Sequence, residues 1–158
     1  VDDEWIYYNA LAPLSAIYRC TTDYLLYMTG DCFLREPVDW IGPALRLLEE
    51  NASYKVANPT RNDCYEEASR QSTGVDGAFY VSEKGFSDQC FLVATQDARA
   101  QIFNEKCTKA EHYPRGETFE KRMFCHMSTY AWKRLIYRHG SYWHQNIVPK
   151  LESNRISN

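Results

Sequence analysis

The stretch TDYLLYMTGDCFL, residues 22–34, decides how the rest of the chain is interpreted. Its apolar run Tyr24–Met28 is typical of a buried strand, and Gly30 ends that run immediately before Asp31. Open α/β sheets bind their ligands beyond the carboxyl ends of their strands. The stretch therefore predicts a strand that delivers a carboxylate to a ligand-binding edge. The alternative is a simple turn between two buried segments.

The composition is that of one globular domain. A chain of 158 residues with 44% hydrophobic and 25% charged residues can bury a sizeable core. Aromatic residues reach 15%, which suits stacking on sugars as well as packing. The formal net charge of −3 offers no basic surface to a polyanion, so nucleic acid is not expected as a partner. We expect one domain over residues 1–150 and a tail over residues 151–158.

The cysteines and the hydropathy bear on the compartment. No apolar run approaches the ~20 residues that span a bilayer, so no transmembrane segment is expected. Six cysteines are spread along the chain without a C-x-x-C pair, and Cys32, Cys90 and Cys125 lie in apolar runs. A domain of this size folds without disulfides. We therefore expect reduced thiols and a cytoplasmic location, with peripheral association at a membrane left open.

Helices and strands alternate along the first half of the chain. Helical spacing predicts a helix over residues 9–20, and Asp39 is a credible N-cap for a helix over residues 40–50. The next strand is expected over residues 54–57. This order is typical of a βαβ unit, and it predicts an α/β fold with a mainly parallel or mixed sheet flanked by helices.

The second half combines polar loops with further strands and helices. The predicted elements are a loop over 58–76 with a short helix near 64–71, strands over 77–82 and 86–94, helices over 95–106 and 119–136, and an aromatic and histidine-rich segment over 137–144. Long polar loops in a compact domain usually serve function.

Three segments resemble those of GT-A-type nucleotide-sugar glycosyltransferases. The first, DYLLYMTGDCFLREPVDWIGPALRLLEENASYKVANP at 23–59, has the strand ending in an acidic motif, the following helix and the returning strand of that superfamily. FSDQCFLV at 86–93 and TFEKR at 118–122 are similar to acceptor-side motifs of bacterial polysaccharide glycosyltransferases. The resemblance covers roughly residues 10–145. It implies a partial GT-A fold, corresponding to the C-terminal part of such an enzyme without its N-terminal nucleotide-binding half.

The resemblance implies the transfer of a hexose from a nucleotide-sugar donor to a glycan or lipid-linked acceptor. Thr29, Gly30 and Asp31 stand where the family has its acidic D-x-D motif and are the expected donor-binding residues. Arg122 is the arginine that we single out for the donor diphosphate. T-G-D has one carboxylate fewer than the family motif, and a fragment without its N-terminal nucleotide-binding half is expected to bind the donor poorly alone.

The resemblance also implies a metal site. Mg²⁺ or Mn²⁺ neutralises a sugar diphosphate through oxygen ligands and so stabilises the leaving nucleoside diphosphate. Asp31 is the expected carboxylate ligand, and the family's C-terminal histidine is matched by either His139 or His144. Because Thr29 replaces the first acid of the motif, metal dependence is the weakest part of the expectation.

Two carboxylates are candidates for the catalytic base, which an inverting transfer needs to take the proton of the acceptor hydroxyl. The resemblance assigns this role to Asp88 or Glu120. Asp88 lies among apolar residues, where desolvation raises the pKa of a carboxyl. Glu120 lies at the start of a predicted helix, where the helix dipole favours an acid for structural reasons alone.

Two other classes of function remain open. The chain could be a non-catalytic carbohydrate-binding or interaction domain derived from such an enzyme, which the T-G-D motif favours. It could also be an α/β-hydrolase-like enzyme that uses Asp88 with a histidine. The absence of a G-x-S-x-G motif in the sequence argues against the hydrolase.

Overall fold

The computed structural model describes residues 2–102, 105–110 and 118–145, so the predicted tail at 151–158 lies outside it. The helices are α1 (Asp2–Arg19), α2 (Ile41–Glu50), α3 (Tyr65–Gln71), α4 (Thr95–Ala98) and α5 (Phe119–Thr129), with a 3₁₀ turn at Thr108–Ala110. The strands are β1 (Tyr24–Met28), β2 (Cys32–Leu34), β3 (Tyr54–Arg61), β4 (Gly74–Asp76), β5 (Phe79–Ser82), β6 (Cys90–Ala94) and β7 (Lys133–His144). Within these residues no helix is long and apolar enough to cross a membrane.

The strands form one mixed sheet of seven, in the order β1-β6-β3-β7-β5-β4, with β2 paired to β7. Among the described strands, β3 and β7 are the one parallel pair, and the other pairings are antiparallel. β6 lies between β1 and β3 and runs opposite to both. The predicted α/β fold with a mixed sheet and flanking helices is confirmed, but a mainly parallel sheet is wrong because β6 separates the two strands of the expected βαβ unit.

Apolar side chains pack on both faces of the sheet. Helices α1, α4 and α5 cover one face, where Phe91, Val93 and Met123 are buried in a common core. Helix α2 covers the other face, where Trp40 and Leu92 are buried. Phe91 and Leu92 are neighbours in β6 and point to opposite faces because side chains alternate along a strand. The sheet is therefore the middle layer of three.

The largest difference from the sequence prediction follows α5. The helix expected over 119–136 ends at Thr129, and Lys133 begins the long strand β7. Ala131 has a positive φ of 53°, and the Trp132 amide donates to the Met127 carbonyl at 2.8 Å, the bond of a Schellman motif. This motif ends the helix, so Leu135 is buried in the sheet instead of on a helical stripe.

Other element boundaries also differ from the predictions. α3 confirms the short helix near 64–71, but α4 ends at Ala98 instead of continuing to residue 106. Trp40, not Asp39, is the N-cap of α2, and no side chain caps that helix. β6 begins at Cys90 rather than at residue 86, which leaves Asp88 in a loop.

A bulge divides β7 into two parts. In the pairing with β3, Pro59 is opposite Tyr137 and Thr60 is opposite Ser141, so residues 138–140 have no partner in β3. A Cβ atom added to Gly140 would lie 2.9 Å from Cγ2 of Val38, which explains glycine at this position. The second part of β7 then pairs with β2. The bulge therefore sets which side chains the end of β7 presents.

Candidate functional site

Asp31 lies in the turn between β1 and β2 and contacts His144 at the end of β7. The Cys32 amide donates to the Thr29 carbonyl at 3.0 Å, which closes the turn. Cys32 is then directly opposite His144 in the β2–β7 pairing. As a result, Oδ2 of Asp31 lies 2.9 Å from Nε2 of His144, and both side chains retain some exposure, 27% and 11%.

The end of β3 holds His144 in place. The His144 amide donates to Oδ1 of Asn62 at 2.9 Å, and the Asn62 amide donates to the Tyr142 carbonyl at 2.8 Å. Asn62 and Asp63 have positive φ angles of 46° and 55°, a conformation that short polar side chains tolerate best. This left-handed turn brings both the backbone N–H and the side-chain oxygen of Asn62 to β7.

Asp88 lies in the loop before β6, next to the Asp31 turn. The Thr29 amide donates to the Gln89 carbonyl at 2.9 Å and so joins the two segments. Burial raises the pKa of the Asp88 carboxyl, while its own backbone amide and the positive charges of His144 and Arg61 oppose that rise. Asp88 is therefore close to both His144 and Arg61.

Glu120 lies in the first turn of α5. Oγ1 of Thr118 caps this helix by accepting from the Lys121 amide at 3.1 Å. Burial, with a smaller contribution from the Asp88 carboxylate, raises the pKa of Glu120 to about 8. Glu120 is consequently protonated at neutral pH, and the charge of the Asp88 carboxylate contributes to this.

A cavity of about 1030 Å³ opens beside Glu120. Its walls come from β3, α3, the loop before β6, α5 and β7. Ser87 and Tyr142 line it together, and their hydroxyl oxygens lie 2.8 Å apart. Asp31, Asp88 and His144 are not among its lining residues. Glu120 thus lines the cavity, and the Asp88 carboxylate acts on it electrostatically.

The remaining predicted site residues make other contacts. Thr29 donates its hydroxyl to the Cys32 sulfur at 3.0 Å, and a Cβ added to the exposed Gly30 would meet nothing within 4 Å. Nη1 of Arg122 donates to the Glu105 carbonyl at 2.7 Å. His139 is exposed, and its ring packs edge-on against Tyr137 at 5.8 Å. Of the two candidate histidines, His144 is therefore the partner of Asp31.

The sequence did not single out Arg61 and Asn62. Arg61 is the arginine whose charge acts on both Asp88 and Glu120, and Asn62 binds the His144 backbone. Both follow the run VANPT, where β3 continues four residues beyond the predicted end at Ala57. Because β3 runs in the direction of β1, its last residues reach the same edge of the sheet. A longer prediction for β3 would have placed them there.

The metal site predicted from the sequence requires several donor atoms close together. Within the part of the chain that the structure describes, no group of three His, Cys, Asp or Glu side chains is arranged to hold a metal ion. Asp31 and His144 offer one carboxylate and one imidazole side by side. Mg²⁺ commonly takes one or two carboxylates and completes its shell with water and phosphate oxygens. The pair fits a cation shared with a diphosphate, not a closed protein cage.

Comparisons with known proteins identify no relative of this chain. No protein-family description, curated protein or solved structure matches the chain. The site is therefore interpreted from its own residues.

Proposed function

We propose that this chain is a glycosyltransferase domain of the GT-A type, which transfers a hexose from a nucleotide sugar to a glycan or lipid-linked acceptor. The observation that supports this most is the convergence of Asp31, Asp88, Glu120 and His144 from four separate segments. Asp31 and His144 are in direct contact. The charge of His144 acts on the pKa of Asp88, and the charge of Asp88 acts on the pKa of Glu120. The glycosyltransferase resemblance assigns Asp31 to the donor and the metal, and Asp88 and Glu120 to catalysis. It offers His144, as an alternative to His139, for the metal site.

The donor side of the proposed site is Asp31 with His144. These two side chains would hold Mn²⁺ or Mg²⁺, and the cation would neutralise the charge that develops on the leaving diphosphate. Arg61 is exposed and acts electrostatically on Asp88 and Glu120, so its charge is available to a phosphate at the same edge. Asp31 and His144 orient the donor, and Arg61 adds positive charge.

The acceptor side is the pair Asp88 and Glu120. Asp88 takes the proton from the acceptor hydroxyl while that oxygen forms a bond to C1 of the donor sugar. The bond from C1 to the diphosphate breaks, and the nucleoside diphosphate leaves with the electron pair. Because Glu120 is protonated at neutral pH, it has a proton to donate and cannot act as the base, which leaves Asp88 in that role.

The test is turnover of a panel of nucleotide sugars, followed as release of nucleoside diphosphate with Mn²⁺ and with EDTA. We expect turnover from the full-length gene product, none from its Asp88→Asn variant, and weaker donor binding by its Asp31→Asn variant. Glu49→Gln is a matched control because Glu49 is exposed at the end of α2. Nucleoside diphosphate binding that Asp31→Asn leaves unchanged would refute the donor site. Sugar binding without any donor turnover would favour the non-catalytic carbohydrate-binding domain.

A further inference from the structure

We infer that the cavity beside Glu120 binds an organic phosphate through arginine and lysine side chains, without a metal ion. The cavity measures about 1030 Å³, at the upper end of pockets that hold small molecules, and it is far larger than a phosphate ion. Asp31 and His144, the proposed metal ligands, are not among its lining residues. The inference therefore concerns a second site and does not depend on the proposed function.

Positive charge exceeds negative charge along the cavity wall. The cationic residues of the lining are Arg61, Lys84, Lys109 and Arg134. The carboxylates that oppose them are Glu67 and Glu83, because burial raises the pKa of Glu120 to about 8 and leaves it uncharged at neutral pH. Glu83 also forms an ion pair at 3.6 Å with Lys133, which lies outside the lining. The wall therefore favours an anionic ligand.

Arg61 and Lys84 are the cations most available to such a ligand. Both are exposed, and neither forms an ion pair with another residue that the structure describes. Arg61 is the last residue of β3, where it is opposite Tyr142 in β7. The Lys84 amide donates to Oγ of Ser82 at 3.0 Å, and this hydroxyl donates to the Gln71 carbonyl at 2.9 Å. Because both backbones are held in place, binding does not have to order them.

Arg134 is the buried cation of the same wall. It is 7% exposed, and its Nη2 donates at 3.3 Å to Oε1 of Gln71, another lining residue. Burial outweighs the charges of Arg61 and Arg134, which both act to lower the pKa of Glu120. Two arginines from different strands, β3 and β7, therefore act on the same part of the wall.

The arrangement of these cations fits a phosphate group better than a carboxylate. Arg61, Lys84 and Arg134 belong to three different segments, namely β3, the loop after β5 and β7. A phosphate ester carries about −1.5 to −2 charges at neutral pH and accepts hydrogen bonds through three oxygens, so it can bind cations from several directions. A carboxylate carries one charge and is matched best by a single bidentate arginine. The organic part of the ligand would occupy the rest of the cavity.

The test is calorimetric titration of the protein in EDTA, at low ionic strength because salt screens exposed charges. The probes are glucose 6-phosphate and uridine 5′-monophosphate, with inorganic phosphate, glucuronate and glucose as comparisons. We expect one of the organic phosphates to bind about tenfold more tightly than any of the comparisons. The organic phosphate that binds better shows whether a sugar or a nucleoside carries the phosphate group.

Two variants locate the binding in the cavity. Arg61→Gln and Lys84→Gln each remove one positive charge at an exposed position, and circular dichroism checks that they fold. We expect each to weaken binding of the preferred phosphate about tenfold, the usual effect of losing a hydrogen bond to a charged group. Arg46→Gln is the matched control, since Arg46 is exposed on α2 outside the lining and should change affinity by less than about twofold. Lys84→Gln is decisive because Lys84 has no part in the proposed donor site, whereas Arg61 has.

Several results would overturn the inference. They are organic phosphates that bind no more tightly than inorganic phosphate, equal binding of glucuronate, or an affinity that Lys84→Gln leaves unchanged. Loss of the EDTA-resistant binding in Asp31→Asn would also overturn it, because the phosphate would then lie at the proposed donor site. Nucleotide-sugar turnover without EDTA-resistant phosphate binding refutes this inference alone. Phosphate binding that depends on Lys84, without donor turnover, refutes the proposed function and leaves the phosphate site standing.

Discussion

Oδ2 of Asp31 and Nε2 of His144 lie 2.9 Å apart, although more than a hundred residues separate them along the chain. The contact exists because β2, which follows Asp31 directly, pairs with the last residues of β7. Two side chains that share one partner or one ligand act as a unit. Their contributions to donor binding should therefore be coupled.

A double-mutant cycle tests that coupling. We expect Asp31→Asn and His144→Gln each to weaken Mn²⁺-dependent binding of a nucleoside diphosphate about tenfold, with a coupling energy of about 0.5 to 3 kcal/mol between them. Calorimetric titrations of the two single variants and the double variant give this energy. Fully additive effects would contradict a shared ligand. His139→Gln should weaken binding far less, because His139 packs against Tyr137 and not against Asp31.

Replacing Asp88 and Glu120 by the corresponding amides should affect kcat differently. Asp88→Asn removes the proposed base, and we expect kcat to fall by about 10² to 10⁴. Glu120→Gln should have little effect near pH 6.5, since the pKa of Glu120 is raised to about 8 and an amide replaces a protonated carboxyl well. Above that pKa Glu120 loses its proton in the wild type, and we expect kcat to fall. The kcat of Glu120→Gln should not fall at that pH. Identical profiles of kcat against pH would contradict these roles.

The free energy of unfolding should fall with rising pH because of Glu120. Its pKa is about 8 in the folded protein against a reference value of 4.5, so between these limits the folded state binds more protons than the unfolded state. Unfolding free energy then decreases as pH increases through this window, and the penalty is complete above the folded pKa. Glu120→Gln should remove a penalty of about 5 kcal/mol at pH 9 and almost none near pH 4. Urea unfolding at several pH values measures it, and Glu49→Gln, which keeps Glu120, should retain the pH dependence of the wild type.

Gly140→Ala should destabilise the fold. The added Cβ would lie 2.9 Å and 3.0 Å from the methyl groups of Val38 and 3.2 Å from the Tyr137 ring. We expect a loss of about 1 to 3 kcal/mol, typical of overpacking, and partial rescue by Val38→Ala. Gly74→Ala is the matched control because a Cβ there would meet nothing within 4 Å. Thermal unfolding compares the four variants, and equal losses at Gly140 and Gly74 would exclude a steric cause.

Most of the candidate site could be predicted from local sequence. Asp31 follows an apolar run that the sequence predicts to be a strand, although β1 lies at the edge of the described sheet and none of its side chains is fully buried. Glu120 lies at the start of a helix that the sequence predicts, whereas Asp88 lies in the loop before β6 and not inside the strand predicted over 86–94. The choice between His139 and His144 could not be made, because it depends on the β2–β7 register. Register is set by pairing between distant segments, which no single segment encodes.

The wrong helix over 130–136 has a different cause. Met127, Ala131 and Leu135 keep helical spacing, and a short apolar run suits a helix or a buried strand equally. The decisive feature is the left-handed conformation of Ala131, which is uncommon for a residue with a Cβ. Tertiary pairing of β7 with β3 and β5 outweighs the local pattern here.

The length of the bulge at residues 138–140 determines which side chain at the end of β7 lies next to Asp31. Side chains alternate along the strand, and three unpaired residues lie between the pairing of Tyr137 and that of Ser141. Deleting one of them would present Gln145 to Asp31, and inserting one would present Trp143. The length of this segment is thus constrained more tightly than the identity of Arg138 or His139. A change in chain length here would break the contact between Asp31 and His144, and it would also move Tyr142 out of the core on the α2 face of the sheet.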